Sequence, residues 1–261
     1  HDILKTNQLN EKQINEQRIR VETLKKELKA INSFEANQLL TICDALVKKS
    51  VWIVGGDGWA YDIGFGGIDH VLASGKNVNI LVLDNEIYDN TGAQASKATP
   101  FGAQAKFEFT GKQKQKKDLG LMAMTYDNVY VASVAIGANQ EQTLKAFNEA
   151  ESFDGPSIII AYCHSESHGI NMENSKQYHE AAVNSGQWLL YRNDPRNENI
   201  FQLDSNIPSI NVEDYLKLEN RFSKLFENEE GARQRIMSHI QLKINKRFEK
   251  YLNMSRKANV F

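Results

Sequence analysis

Two short stretches carry the residues best suited to chemistry. Residues 52–58 read WIVGGDG, and residues 81–90 read LVLDNEIYDN. The first is an apolar run ending in Gly55, Gly56, Asp57 and Gly58; the second reaches Asp84 and Asn85. Residues 59 to 84, 26 in all, separate Gly58 from Asn85. Glycine turns let backbone N–H groups approach phosphate oxygens closely. Magnesium takes hard oxygen ligands: a carboxylate such as Asp57, an amide oxygen such as that of Asn85, a carbonyl, and phosphate oxygens. A strand, a glycine turn with one carboxylate, a crossover helix and a strand ending in an amide imply a site for a diphosphate and its divalent cation.

The elements that must position these residues are legible as apolar runs. Strands are expected at 51–54, 78–84, 129–135 and 158–162, with helices at 61–73 and 140–150. This alternation implies an α/β fold, a parallel doubly wound sheet with helices on both faces. Ligands of such sheets sit beyond the carboxyl ends of the strands, where Asp57, Asn85 and the loop after Tyr162 all fall. Gly64, Gly66 and Gly67 are poor helix formers and imply close packing or backbone approach near the start of the first helix. From Glu86 to Lys117 no periodicity is visible, and a loop that long is usually functional. Asn90 and Thr91 offer hydrogen bonds there, and Lys97 and Lys106 offer charge to anions. The basic run Lys112–Lys117 reads as a solvated loop.

Around this core the chain is more helical. Residues 1–30 are polar, with Ile14, Ile19, Val21, Leu24 and Leu28 at loosely helical spacing. Residues 34–49 read as a second helix with Leu39, Leu40, Ile42 and Leu46 on its buried face and Cys43 as a small core residue. After the polar loop CHSESHGINMENS come a helix at 176–185, extended pieces at 188–191 and 200–203, and amphipathic helices at 212–226 and 231–252. The organisation expected is a helical linker or insertion at 1–32, an α/β domain at 33–187, and a mostly helical extension at 188–261.

Bulk properties narrow the class. The chain has 261 residues, 41% of them hydrophobic, enough for a packed core. Its net charge of −2 gives no global field favouring nucleic acid or an anionic membrane. No apolar run is long enough to span a bilayer. The start, HDILKTNQLN, has neither an initiator Met nor the apolar stretch of a secretory signal, and reads as part of a longer protein that is not secreted. Two cysteines in unlike contexts, Cys43 and Cys163, imply a reducing compartment, cytoplasm or organelle matrix.

The text GGDGWAYDIGFGGIDHVLASGKNVN, followed by NTGAQASKATPFGAQAKF, KKDLGLMAM, GPSIIIAY, NSGQWLLYRNDPR and FQLDS, resembles the C-terminal thiamine-diphosphate (ThDP) domain of pyruvate:ferredoxin (flavodoxin) oxidoreductases. The likeness runs from about Ser33 to the chain end. It implies ThDP and Mg²⁺ as cofactors, pyruvate and coenzyme A as substrates, and ferredoxin or flavodoxin as acceptor of electrons passed singly through [4Fe–4S] clusters. It further implies other domains of the same enzyme as partners and a homodimer. By the same resemblance Gly56, Asp57, Gly58, Asn85, Ile87, Asn90 and Thr91 bind the cofactor. Asp57, the Asn85 side chain and the Ile87 carbonyl hold Mg²⁺, and Asn90 positions substrate. The glutamate that activates the aminopyrimidine lies in another domain of the family, so this chain alone is an incomplete catalyst.

Three positions depart from the family's pattern. The cysteine expected in the loop after the last parallel strand falls on Ser165, with Cys163 two residues away; serine is a poor iron–sulfur ligand. Cys163, His164 and His168 lack a fourth partner for zinc. Ala93 stands where glycine is usual, and is strained if that position needs positive φ. Asp89 stands where a small polar residue is usual, and brings a negative charge towards a diphosphate. Two readings follow: a working oxidoreductase domain, or a degenerate copy serving as a structural or assembly subunit.

Overall fold

The computed structural model describes residues 2–257. They divide into two compact units, His1–Val51 and Trp52–Phe261.

The first unit comprises α1 (Asp2–Lys5), α2 (Glu11–Ile31), α3 (Phe34–Ile42) and a 3₁₀ turn, Cys43–Leu46. Asn10 caps α2 by accepting from the Gln13 N–H, and Asn32 ends it in the left-handed region with φ 50°. Ser33 caps α3 in the same way through the Ala36 N–H. The core is small: Val21, Leu28, Ala36 and Cys43, with Leu24, Leu40 and Leu46 partly buried against it. Gln17 is fully buried and satisfied, its amide donating to the carbonyls of Ile3 (2.8 Å) and Leu46 (3.0 Å). Two residues expected on a buried face are exposed, Leu39 and Ile42. The 3₁₀ turn cuts short the second helix expected there and brings Cys43 inward in their place.

The second unit is built on six strands, β1 (Trp52–Gly56), β2 (Asn79–Asp84), β3 (Tyr130–Val134), β4 (Ser157–Tyr162), β5 (Tyr191–Asn193) and β6 (Phe201–Leu203), in the order β1-β2-β4-β3-β5-β6. The first four run parallel, as the alternating pattern predicts. The pieces expected to be merely extended at 188–203 join the same sheet as an antiparallel hairpin on β3. Every residue of β3 is buried, which is why it reads as a continuous apolar run without alternation.

The helices of this unit are α4 (Phe65–Ala73), α5 (Leu119–Ala123), α6 (Gln140–Ser152), α7 (Ser175–Asn184), α8 (Val212–Leu216), α9 (Ser223–Phe226) and α10 (Glu230–Lys257). One face of the sheet packs Tyr130, Ala132, Val134 and Ile159 against Ala146 and Ala150 of α6. The opposite face packs Ile80, Val82, Val131, Ile158 and Ile160 against α4, α5, α7 and α10. In α10, Met237, Ile240, Ile244, Phe248 and Tyr251 form one buried stripe at spacings of three and four. The helix expected over 212–226 is broken into α8, a 3₁₀ turn (Asn220–Phe222) and α9. The break brings Arg221 inward beside two carboxylates, described below. No described helix is long and apolar enough to cross a membrane.

Candidate functional site

The parallel register brings the two opening motifs to one edge. Gly56, the last residue of β1, is level with Leu83 of β2, and Asp57, the next residue, feels the charge of Asp84, which ends β2 just before Asn85. Asp57 begins a π-helical turn, Gly58–Ile63, and is 1% exposed. Its Oδ2 accepts from Ser96 Oγ at 2.5 Å. Its Oδ1 is buried without a hydrogen-bond partner among the described residues. Burial, reinforced by Asp84, pushes the Asp57 carboxyl up to about 7. A buried carboxylate oxygen left unpaired is costly in isolation and is what a bound cation would satisfy.

The glycines of the motif differ in what they make room for. A Cβ on Gly58 would fall 2.3 Å from the ring of Tyr88, whose hydroxyl donates to the Gly58 carbonyl at 3.0 Å. A Cβ on Gly56 would meet nothing nearer than the Leu83 carbonyl at 3.9 Å. Packing within the chain therefore demands the absence of a side chain at Gly58 and leaves open space over Gly56. Gly64 is pressed against Trp59, as expected of a close approach, whereas Gly66 and Gly67 border open space.

Beyond β2, Asn85 is half-buried, Ile87 is buried, and Asp89, Asn90 and Thr91 are exposed. Residues 88–94 form a tight turn closed by Tyr88 N–H to Gln94 O (2.9 Å) and Ala93 N–H to Tyr88 O (2.8 Å). Asn90 and Thr91 lie at its tip, and Thr91 Oγ1 bonds Gln94 Oε1. Ala93 has φ 67°, so the position does take the left-handed backbone in which a Cβ is strained. Asp89 accepts from Asn85 Nδ2 (3.1 Å) and, through its other oxygen, from Ser165 Oγ (2.8 Å) and Ser167 Oγ (3.0 Å).

A layer of buried charge underlies this edge. Lys116 Nζ lies 2.8 Å from Asp84 Oδ2 and 2.9 Å from Glu86 Oε1. Arg221 joins Glu86 (2.7 Å) to Glu219 (2.5 Å). Burial alone would raise the Glu86 carboxyl, but Lys116 and Arg221 outweigh it and hold it at about 2. Asp84 and Glu219 are pushed up, burial outweighing their cationic partners. Tyr61 donates to Asp84 at 2.6 Å, and Tyr162 meets Tyr215 at 3.0 Å. Glu86 itself has φ 64°, a strained backbone that its two ion pairs hold in place.

The basic run is thus not a solvated loop. Lys112 is buried, donates to the carbonyls of Ser96 (2.7 Å) and Thr99 (2.6 Å), and is pushed down to about 8 by burial. Lys117 donates to the Tyr61 carbonyl at 3.1 Å. Lys97 pairs with Asp62 at 2.7 Å, and Lys106 lies over the Phe107 ring. Ser96, Lys112, Lys116, Glu86 and Arg221 were missed as parts of the site. One signal was available: carboxylates at Asp84 and Glu86 ending an apolar strand require cations, and a lysine run follows on the same loop.

In the loop after β4, Cys163 contacts the Ala161 carbonyl at 3.4 Å, and burial pushes its thiol up to about 11. Ser165 is buried and caps the turn Glu166–His168 while donating to Asp89. His168 Nε2 lies 2.7 Å from the Asn85 carbonyl. Burial holds His168 at about 2 and His164 at about 3. Among the described residues no group of three His, Cys, Asp or Glu side chains is arranged to hold a metal ion. Ser165, where the resemblance places a cluster ligand, is committed to Asp89, and a serine oxygen is a poor iron–sulfur ligand. By contrast, Asp57 with its unpaired oxygen, the Asn85 amide and the open space over Gly56 fit a hard divalent cation carrying a diphosphate.

Comparison with known proteins gives likenesses over most of the chain. Residues 38–161 match the family described as thiamine pyrophosphate enzyme, C-terminal TPP binding domain. The chain is 55% identical over 258 residues to the pyruvate-flavodoxin oxidoreductase of Trichormus variabilis, covering 96% of this chain and 22% of that protein. It is 51% identical over 261 residues to a putative pyruvate-flavodoxin oxidoreductase of Synechocystis sp., covering 98% and 22%. Against the pyruvate:ferredoxin oxidoreductase of Moorella thermoacetica it is 50% identical over 216 residues, covering 81% and 18%. The chain therefore spans less than a quarter of the length of these relatives.

Proposed function

Because this chain belongs to the pyruvate-flavodoxin oxidoreductase family and carries its thiamine-pyrophosphate-binding domain, we propose that it supplies the diphosphate and Mg²⁺ end of a ThDP site in a larger 2-oxoacid oxidoreductase. The whole reaction in this reading is oxidative decarboxylation of pyruvate with coenzyme A to acetyl-CoA, with electrons delivered to ferredoxin or flavodoxin. The observation that carries it is the buried, unpartnered Oδ1 of Asp57 at the carboxyl edge of β1 and β2.

In this reading Asp57, the Asn85 amide oxygen and the Ile87 carbonyl hold the cation, and the backbone of Gly56 and Gly58 receives the diphosphate. When bound, ThDP supplies the electron sink for decarboxylation. The chain's own part is to hold that cofactor and to present Asn90 and Thr91, at the exposed tip of the 88–94 turn, towards substrate. The buried Lys116–Glu86–Arg221 network keeps the backbone of Glu86, between two of the three cation ligands, in its strained conformation. The aminopyrimidine-activating carboxylate comes from another domain, a second copy of the chain completes a dimer, and a reducing compartment houses the enzyme.

A second reading is favoured by one contact. Ser165, where a cluster thiolate is expected from the family, is fastened to Asp89. The domain would then bind ThDP while electrons do not leave through this loop, or it would serve as an assembly subunit. Calorimetric titration with ThDP and Mg²⁺ tests the cofactor site. Saturable binding that is lost in Asp57→Ala, with the sheet intact by circular dichroism, is expected; no binding to the folded parent overturns the proposal. Iron and sulfide analysis of the protein bearing its remaining domains separates the two readings.

A further inference from the structure

The side-chain amide of Asn85 can present either its nitrogen or its oxygen to a given neighbour, and only the oxygen ligates a cation. Its Nδ2 lies 3.1 Å from Asp89 Oδ2. An ionised carboxylate only accepts hydrogen bonds, so the atom facing Asp89 must be the nitrogen. Asp89 is exposed, yet it is not loose: its second oxygen accepts from both Ser165 Oγ and Ser167 Oγ. Ser165 Oγ also accepts from the Ser167 N–H at 3.0 Å, which leaves its single hydroxyl proton for Asp89. His168, from the same loop, meets the Asn85 carbonyl. Asn85 is thus gripped from the β4 loop at its backbone directly and at its side chain through Asp89.

We infer that Asp89 is a positioning residue that selects the orientation of the Asn85 amide, turning Oδ1 to the divalent cation, and that Ser165 and Ser167 hold Asp89 for this task. The inference rests on the reading of Asn85 as a cation ligand. It gives Asp89 a use despite its like charge near a diphosphate, since the carboxylate acts on the ligand and not on the phosphate. It also gives Ser165 a place in cofactor binding that does not involve iron.

The test is a double-mutant cycle read by calorimetric titration of the chain with Mg²⁺ and ThDP, with Mn²⁺ binding by electron paramagnetic resonance as a second readout. Removing an outer partner of a metal ligand lowers affinity by about 10–100-fold. Asp89→Ala should therefore weaken cation and cofactor binding by about that factor, and Asp89→Asn, near-isosteric but able to donate, should weaken it several-fold with the fold retained. In Asn85→Asp the ligand has two oxygens and no wrong orientation. Asn85→Asp/Asp89→Ala should then bind at least as tightly as Asn85→Asp alone. Equal weakening by Asp89→Ala in both backgrounds would make Asp89 a plain staple between loops and overturn the inference, leaving the cation site standing. Absence of Mg²⁺ and ThDP binding by the folded parent would overturn the site itself, and the inference with it.

Discussion

Arg221 and Glu86 are 135 positions apart in sequence and meet at 2.7 Å, with side chains 2% and 1% exposed. Removing one partner of a buried ion pair leaves an uncompensated charge and costs roughly 3–5 kcal/mol. Arg221→Met leaves Glu219 without its cation and Glu86 with Lys116 alone, so it should reduce the urea-unfolding free energy of the second unit by about that amount. A loss below about 1 kcal/mol would show the network to be solvated in solution.

Mild acidification sets two groups of buried side chains against each other, carboxyls pushed up and histidines pushed down. The Asp57 carboxyl, pushed up to about 7, contributes stability fully below the usual range near pH 4 and loses it as pH rises through 7. His168 and His179, pushed down to about 2 and about 4 by burial, are neutral when folded. Their contribution is full above about pH 6.5 and is lost as pH falls. Each group changes stability by at most about 1.4 kcal/mol per pH unit. His164, held at about 3, loses stability in the same direction, whereas Asp84 and Glu219, pushed up by burial, gain it together with Asp57. Urea unfolding at pH 8, 6.5 and 5 checks the balance. Asp57→Asn should be more stable than the parent at pH 8, with a margin that shrinks towards pH 4.

Two glycine substitutions should separate folding from ligand binding. Gly58→Ala places a methyl group inside the Tyr88 ring and should both destabilise the chain and dislodge the 88–94 turn. Overpacking of this kind costs about 1–3 kcal/mol. Gly56→Ala meets no protein atom closer than 3.9 Å and should leave the melting temperature within about 2 °C of the parent. If Gly56→Ala nevertheless lowers ThDP affinity, the space above it belongs to the cofactor; unchanged affinity would place the diphosphate elsewhere.

Ala93→Gly should stabilise the protein by about 1 kcal/mol, because Ala93 holds φ 67° and left-handed backbone is disfavoured by a Cβ. Thermal unfolding checks it. A destabilised variant would mean that the Ala93 methyl packs more favourably than its backbone is strained.

Much of this architecture was legible in the residues because it is local. Gly55–Gly58 and Asp84–Asn85 announce their strands and turns within a few positions, and the parallel register of β1 and β2 then fixes their meeting. The stripe from Met237 to Tyr251 likewise follows from helical spacing alone. What was illegible depends on distant partners. Lys116 looks like one more lysine in KQKQKK until Asp84 and Glu86 are folded over it. Arg221 sits in a tail whose periodicity suggests an unbroken helix, and its role comes from carboxylates in another part of the chain. Leu39 and Ile42 matched helical spacing yet stayed exposed, because Ala36 and Cys43 took the inward positions.

Cys163 carries a consequence for handling the protein in air. Held up to about 11, its thiol is ionised in only about one molecule in ten thousand at pH 7, and thiolate is the form that reacts with oxidants and alkylating agents. Cys43 is fully buried. The rim of this sheet edge is therefore chemically quiet: a maleimide or a peroxide should find little to modify there until the β4 loop itself comes away from Asp89.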